Sequence, residues 1–176
     1  MNNIKQNLRV LFTTHSVYTK FFIESVINDI EDIGVITTNL LSNQKDIGNY
    51  LKQFIGNENG NRLIDLLTQH ILSICAIIIC IKNSNDINSS LEKTNESNKS
   101  ISLFFSSLKL QKKLIYNNVL KIFTQHTKYI VEMAKLHFDG KYVEQYKTYD
   151  NYYNHMMIMV SDVLSNTFIL NAPQIK

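Results

Sequence analysis

LIDLLTQHILSICAIIICI, at residues 63–81, is the stretch that decides the fold of this chain. Its apolar residues recur at steps of three and four, which is typical of a helix buried along one side. These residues are Leu63, Leu67, Ile71, Ile74, Ile78 and Ile81. The second half is apolar nearly all round, so we expect this helix at the centre of a domain. His70 lies on its inward stripe.

The composition favours helices over strands. Five glycines and one proline in 176 residues are too few turn-forming residues for an all-β design. A hydrophobic share of 44% is within the globular range and supplies one compact core. We therefore predict a single domain over residues 1–176. The net charge of +3 comes from scattered basic residues, so no nucleic-acid partner is expected.

The sequence also bears on the compartment. The amino terminus becomes polar too early for a signal peptide. The longest uncharged and strongly apolar stretch, residues 71–81, is too short to span a bilayer. Cys75 and Cys80 face different sides of one helix, so they are expected to be unpaired thiols of a reducing compartment. We predict a cytoplasmic protein with no membrane partner. The richness in Asn, Ile and Lys suggests an AT-biased genome, such as a large DNA virus, which makes a virion the alternative.

Helical periodicity continues along the rest of the chain. The predicted helices cover residues 4 to about 29, 35–54, 63–81, 87–105, 110 to about 136, and 142 to about 165. GNENGN at residues 56–61 is the clearest turn, and Pro173 is expected to end the tail's helix. The polar segment 87–105 would also suit an extended loop. The predicted fold is all-α: an up-and-down bundle of four principal helices plus shorter helical segments.

Histidines are the main functional clue. His15, His70 and His126 lie near the centres of inward stripes on three helices, and His155 lies at the border of another. Bundle helices project side chains inward at matching heights, and neutral imidazole is a common metal ligand. These four histidines are therefore candidate ligands of zinc, iron or nickel. The alternative is a buried polar network that only fixes helix packing, and no HxxxH, HExxH or ExxH pair decides between the two.

Further polar residues are expected to support the histidines, in a metal site or in a network. They are Tyr18, Asn43, Gln44, Asp46 and Asp162. Gln44 falls near the middle of the second helix's stripe and Asn43 at its edge. Asp46 and Asp162 are the carboxylates nearest an inward face, where either could orient an imidazole. In the alternative interpretation, Asp46 and Asp162 are ordinary solvated charges at the edge of a helix. Gly48, also inward, would let a neighbouring helix approach closely.

The last predicted helix carries a tyrosine and methionine face. Its members are Tyr142, Tyr149, Tyr152, Tyr153, Met156, Met159, Val160 and Val163. Such a face can line a haem or hydrophobic-ligand pocket, although ordinary core is the commoner use. Its aromatic edge is also where a homodimer would form.

The sequence resembles one known family. LFTTHSVYTKFFI at 11–23, LLSNQKDIGNYL at 40–51 and LLTQHI at 66–71 carry the resemblance, with later matches at His126, His155, Met159, Asp162 and Leu164-Ser165. They are similar to a family of small, uncharacterised, all-helical proteins, mainly bacterial, sometimes labelled acetylglutamate kinase or glycosyltransferase. The resemblance implies a bundle with a polar interior. Neither kinase nor glycosyltransferase chemistry is implied, since no nucleotide-binding pattern is present. The fourth helix lacks the family's tryptophan, and Ala172-Pro173 replaces its Gln-Phe-Pro.

Two functions are compatible with these features. The first is a metal-binding protein, which an open coordination position would make a metal-dependent enzyme with an unknown small-molecule substrate. The second is a non-enzymatic structural or interaction protein, viral in one version, whose histidine and amide centre fixes helix register. The metal content of the purified protein distinguishes them.

Overall fold

Helices form nearly all of the protein in the computed structural model, which describes residues 2–110 and 114–169. The long helices are α1 (Asn2–Ile27), α2 (Ile33–Ile55), α3 (Asn57–Lys82), α4 (Asn88–Ser107), α5 (Tyr116–Phe138) and α6 (Tyr142–His155). A π-helical segment (Met156–Asp162) and α7 (Val163–Ile169) continue α6. The all-α, single-domain fold is confirmed, with no strand in the described ranges.

Helix α3 is the centre of the bundle, as its sequence predicts. It packs against α1, α2, α4 and α5, and its Leu63, Ile77 and Ile78 are completely buried. Consecutive helices contact one another from α1 through α6, so the chain runs up and down. The π-helical segment then packs against α1, which brings the end of the described chain back to its beginning.

Several predicted boundaries need correction. Most of the expected turn at residues 56–61 is helical, and Gly56 alone separates α2 from α3. Gly56 has a φ of 82°, which glycine adopts without strain, and its N–H donates to the carbonyl of Lys52 at 2.8 Å. The doubtful segment 87–105 is helical and belongs to α4, while α5 begins at Tyr116 instead of residue 110. Pro173 lies outside the described residues.

A close crossing of α2 and α3 explains why a glycine-rich stretch is helical. Gly48 of α2 faces Gly60 of α3, and a Cβ on Gly48 would lie 3.1 Å from the carbonyl oxygen of Gly60 and would overlap Ile64. A Cβ on Gly60 would meet Lys52. The two glycines therefore let the helix backbones approach, which confirms the expectation for Gly48.

Gly48→Ala is expected to lower the free energy of unfolding by about 1–3 kcal/mol, the usual cost of overpacking a tight contact. Urea denaturation followed by circular dichroism measures this change. Gly34→Ala is the matched control, because Gly34 is in the same helix and a Cβ there meets nothing within 4 Å. The control is expected to be neutral or slightly stabilising. Equal stabilities for the two variants would show that the crossing is not tight.

One helix, α3, is long and apolar enough to cross a membrane by length and composition alone. The sequence-based expectation considered only the uncharged residues 71–81, whereas α3 as a whole covers Asn57–Lys82. The core helix of a bundle passes the same test, and the inward residues of α3 are buried by its neighbours.

Candidate functional site

Three of the four candidate histidines meet at the centre of the bundle. His15 comes from α1, His70 from α3 and His126 from α5, and none of them is more than 4% exposed. The ring centroid of His126 lies 5.6 Å from that of His15 and 5.5 Å from that of His70. The imidazoles of three helices therefore meet inside the bundle, with His126 next to both of the others.

A cavity of about 30 Å³ adjoins these rings. Its polar lining consists of the three histidines and Gln44, and Met156 contributes a thioether. The other lining residues are phenylalanine, leucine, isoleucine and valine, and no carboxylate lines it in the part of the chain that the structure describes. A volume of this size has room for about one or two water molecules.

Gln44 provides the polar contact to His15. Its Nε2 donates to His15 Nδ1 at 3.0 Å and to the carbonyl of Leu40 at 3.1 Å. Because Nδ1 accepts this bond, the proton of the neutral His15 ring is on Nε2. Asn43 Nδ2 donates to the carbonyl of Leu11 at 3.0 Å, which ties α2 to α1. This side of the centre is a hydrogen-bonded network, as one of the two hypotheses expects.

The network does not reach the other two rings. Both ring nitrogens of His70 and Nδ1 of His126 are buried without a hydrogen-bond partner among the described residues. Leaving a buried polar group unpaired costs about 1–3 kcal/mol. A water molecule or an ion bound in the adjoining cavity would lower that cost. The three atoms are therefore the most informative feature of the site.

Burial keeps the three imidazoles neutral. It lowers the pKa of His15 to about 4 and that of His70 to about 3, and the proximity of His15 adds to the effect on His70. The pKa of His126 is also well below its usual value, because of burial and then of the neighbouring histidines. Neutral imidazole is the form that binds metals, so the rings are in the ligating protonation state at pH 7.

The spacing of the rings is compatible with a shared metal ion, but the orientation of the ring planes is not. Metal–nitrogen distances of about 2.0–2.1 Å put the centroids of three imidazole ligands about 5–5.5 Å apart, close to the two spacings found here. The His15 and His126 planes, however, are inclined by only 29°, and a metal lies in the plane of each ring that binds it. Within the described ranges, no three His, Cys, Asp or Glu side chains converge on a metal position. Metal binding would require the rings to turn.

His155 is buried but does not join the three rings. Its Nε2 donates to the carbonyl of Ile122 at 3.1 Å, and its ring packs edge-on against Tyr129. It is absent from the cavity lining. His155 therefore lies outside the cavity and links α6 to α5, while metal binding by any of the four histidines stays a prediction.

The other predicted supporting residues lie away from the cavity. Asp46 is exposed, because it is two residues, or about 200°, round the helix from Gln44. Asp162 forms ion pairs with Arg9 at 2.9 Å and Lys5 at 2.8 Å. The π-helical segment winds about 4.4 residues per turn, which takes Asp162 out of phase with His155. Tyr18 is half-buried and packs against the core without lining the cavity.

Tyr152 and Met156 lie beside the three rings, and the sequence places both on a face that suits either ordinary core or the lining of a pocket. The Tyr152 ring lies 5.3 Å from that of His126, and its hydroxyl donates to Thr19 Oγ1 at 3.4 Å. Met156 lines the cavity and is 2% exposed. Tyr152 and Met156 are four residues, or about one helical turn, apart, with His155 between them in the sequence. This spacing is the signal that could have identified them.

Fold and site together define an all-α bundle with a buried three-histidine centre. Comparisons with protein-family models, with curated proteins and with solved structures found no match. The resemblance to the small all-helical family stays a prediction. The function of the protein must therefore be inferred from the chemistry of its buried centre.

Proposed function

We propose that the protein binds one transition metal ion at its centre, through His15, His70 and His126. The observation that carries this proposal is the group of three buried ring nitrogens without hydrogen-bond partners, among the described residues, beside one cavity. Coordination would give one nitrogen of His70 and Nδ1 of His126 a partner stronger than a hydrogen bond, while the second nitrogen of His70 would keep its proton. Turning the Gln44 amide would let its oxygen accept from His15 Nδ1, which frees Nε2 to bind the metal.

The proposed role is metal binding without turnover of a large substrate. A cavity of about 30 Å³ leaves space on the metal for a water or a diatomic molecule. The lining contains no carboxylate or lysine that could act as an acid or base, as far as the described residues show. A substrate of larger size would need the bundle to open.

A second function has its own supporting observation. Amide side chains join helices at several depths: Gln44 bonds to His15, Asn98 Nδ2 donates to Thr127 Oγ1 at 3.2 Å, and His137 bonds to Asn28 and Gln145. Such bonds fix helix register without a metal. The alternative is therefore a structural or interaction protein with a polar core.

Elemental analysis of purified, unsupplemented protein tests the proposal. We expect about one metal ion per chain in the wild type and less than a tenth of that in His70→Leu. His137→Leu is the matched control, because His137 is also buried but lies outside the cavity lining, and it should keep its metal. A metal-free wild type that still melts cooperatively in chelator would contradict the proposal and favour the structural function.

A further inference from the structure

We propose that the bound ion is monovalent copper, held by the three imidazoles together with the thioether of Met156. This inference rests on the proposed function and names the ion. The sequence alone suggests zinc, iron or nickel. Two features of the cavity favour copper(I) instead: the lack of negatively charged side chains in its lining, among the described residues, and the presence of a thioether sulfur, which is a soft ligand.

Charge is the first reason. The cavity wall consists of neutral imidazoles, one amide, one thioether and hydrocarbon, and no acidic side chain lines it within residues 2–110 and 114–169. The two aspartates expected nearby are instead exposed or paired with cations at the surface. The cost of burying an ion rises with the square of its charge, so an uncompensated divalent ion costs about four times as much as a monovalent one.

The donor set is the second reason. Met156 begins the π-helical segment and is buried against the same cavity as the histidines. Thioether sulfur is a soft ligand that selects copper(I), whereas carboxylate and water oxygens suit harder ions. π-Helical segments inside α-helices occur frequently at functional sites, and this one lies where it supplies Met156 and Val160 to the lining.

Geometry is compatible with this ion. Copper(I) accepts four ligands such as three imidazoles and one thioether, and three imidazoles around one ion have centroids about 5–5.5 Å apart. The ring centroid of His126 lies 5.6 Å from that of His15 and 5.5 Å from that of His70, so two of the three ring pairs have this spacing. Binding requires the rings to turn, because among the described residues no three of these side chains converge on a metal position.

Thiols are the competing soft ligands, and the test must exclude them. Cys80 is half-buried, so Cys80→Ala removes it from the background. Burial raises the pKa of the Cys75 thiol to about 12, which leaves no thiolate at neutral pH. Cys75 is also absent from the cavity lining.

Oxygen-free titration of the Cys80→Ala protein with copper(I), in competition with the chromophoric chelator bicinchoninate, tests the inference. We expect about one copper(I) per chain, and Met156→Leu should weaken its binding by about tenfold or more, the usual loss for one supporting group. Zinc(II) affinity should be the same with and without Met156. Met133→Leu is the control, because Met133 is completely buried but does not line the cavity.

The outcomes separate this inference from the proposed function. An unchanged copper(I) affinity in Met156→Leu would overturn the assignment of the thioether and with it the inference. Zinc(II) bound at the histidines and not displaced by copper(I) would overturn the inference while leaving the proposed function intact. Failure of both ions to bind would overturn both.

Discussion

Acidification from pH 6.5 to pH 5 is expected to remove about 5 kcal/mol of stability from the metal-free protein. The cause is that His15, His70 and His126 are buried and neutral, with pKa values lowered to about 4 and about 3 for the first two and well below the usual value for the third. The unfolded chain titrates these side chains near pH 6.5. It therefore binds about three more protons than the folded protein near pH 5.

The sign follows from the lowered pKa values. Above about pH 7.5 both states are neutral at these positions and stability is constant. As the pH falls from 6.5 towards 4, protons bind preferentially to the unfolded chain and stability is lost by up to about 4 kcal/mol per pH unit. Typical domains have about 5–15 kcal/mol of stability in total, so much or all of it disappears in this window.

Urea denaturation in chelator at several pH values between 5 and 7 measures this slope. Carboxylates titrate mainly below that range, so the histidines dominate the result. His70→Leu removes one of these groups and should reduce the slope by about a quarter to a third, because burial also lowers the pKa of His155. A wild-type loss below about 1 kcal/mol over the same window would contradict the burial of three neutral imidazoles.

Relative to the wild type, His70→Leu is expected to raise the free energy of unfolding without metal and to lower it when metal is present. In chelator the variant should be more stable than the wild type by about 1–3 kcal/mol, because it removes two buried ring nitrogens that have no hydrogen-bond partner among the described residues. With free metal at about 1,000 times its dissociation constant, the wild type should gain about 4 kcal/mol. The variant should gain nothing.

His137→Leu is the matched control for this experiment. His137 is a buried histidine whose Nδ1 donates to Gln145 Oε1 at 3.0 Å and whose Nε2 accepts from Asn28 Nδ2 at 2.9 Å. The same substitution there should destabilise the metal-free protein, because it leaves two amides unpaired, and should keep the response to metal. Stabilities that fall equally in both variants would show that His70 has a partner and that no guest site is needed.

The sequence predicts the part of the site that depends on helical periodicity. His15, His70 and His126 each recur in step with an apolar stripe, so their burial could be inferred without coordinates, whereas the sequence makes a shared layer only geometrically possible. Gln44 could be placed by the same counting. These predictions hold because a residue's direction in a regular helix depends only on its position along the chain.

Other features depend on departures from that regularity. The π-helical segment after His155 changes the phase of everything beyond it, which is why Asp162 reaches Arg9 instead of an imidazole. The predicted turn at residues 56–61 is mostly helical, and Gly60 lies opposite Gly48 of α2, a pairing between helices that local sequence does not encode. Ring orientation, which decides whether nitrogens converge, is likewise set by packing across several helices.

Nitrogen-15 NMR of the histidine side chains tests the central claim most directly. The chain has five histidines, so a histidine-labelled sample gives a spectrum that single substitutions can assign. On addition of one equivalent of metal, we predict that ring-nitrogen signals of His15, His70 and His126 shift together while those of His137 and His155 stay in place. Unchanged signals for the three central rings, or shifts confined to the other two, would contradict a metal site at the centre of the bundle.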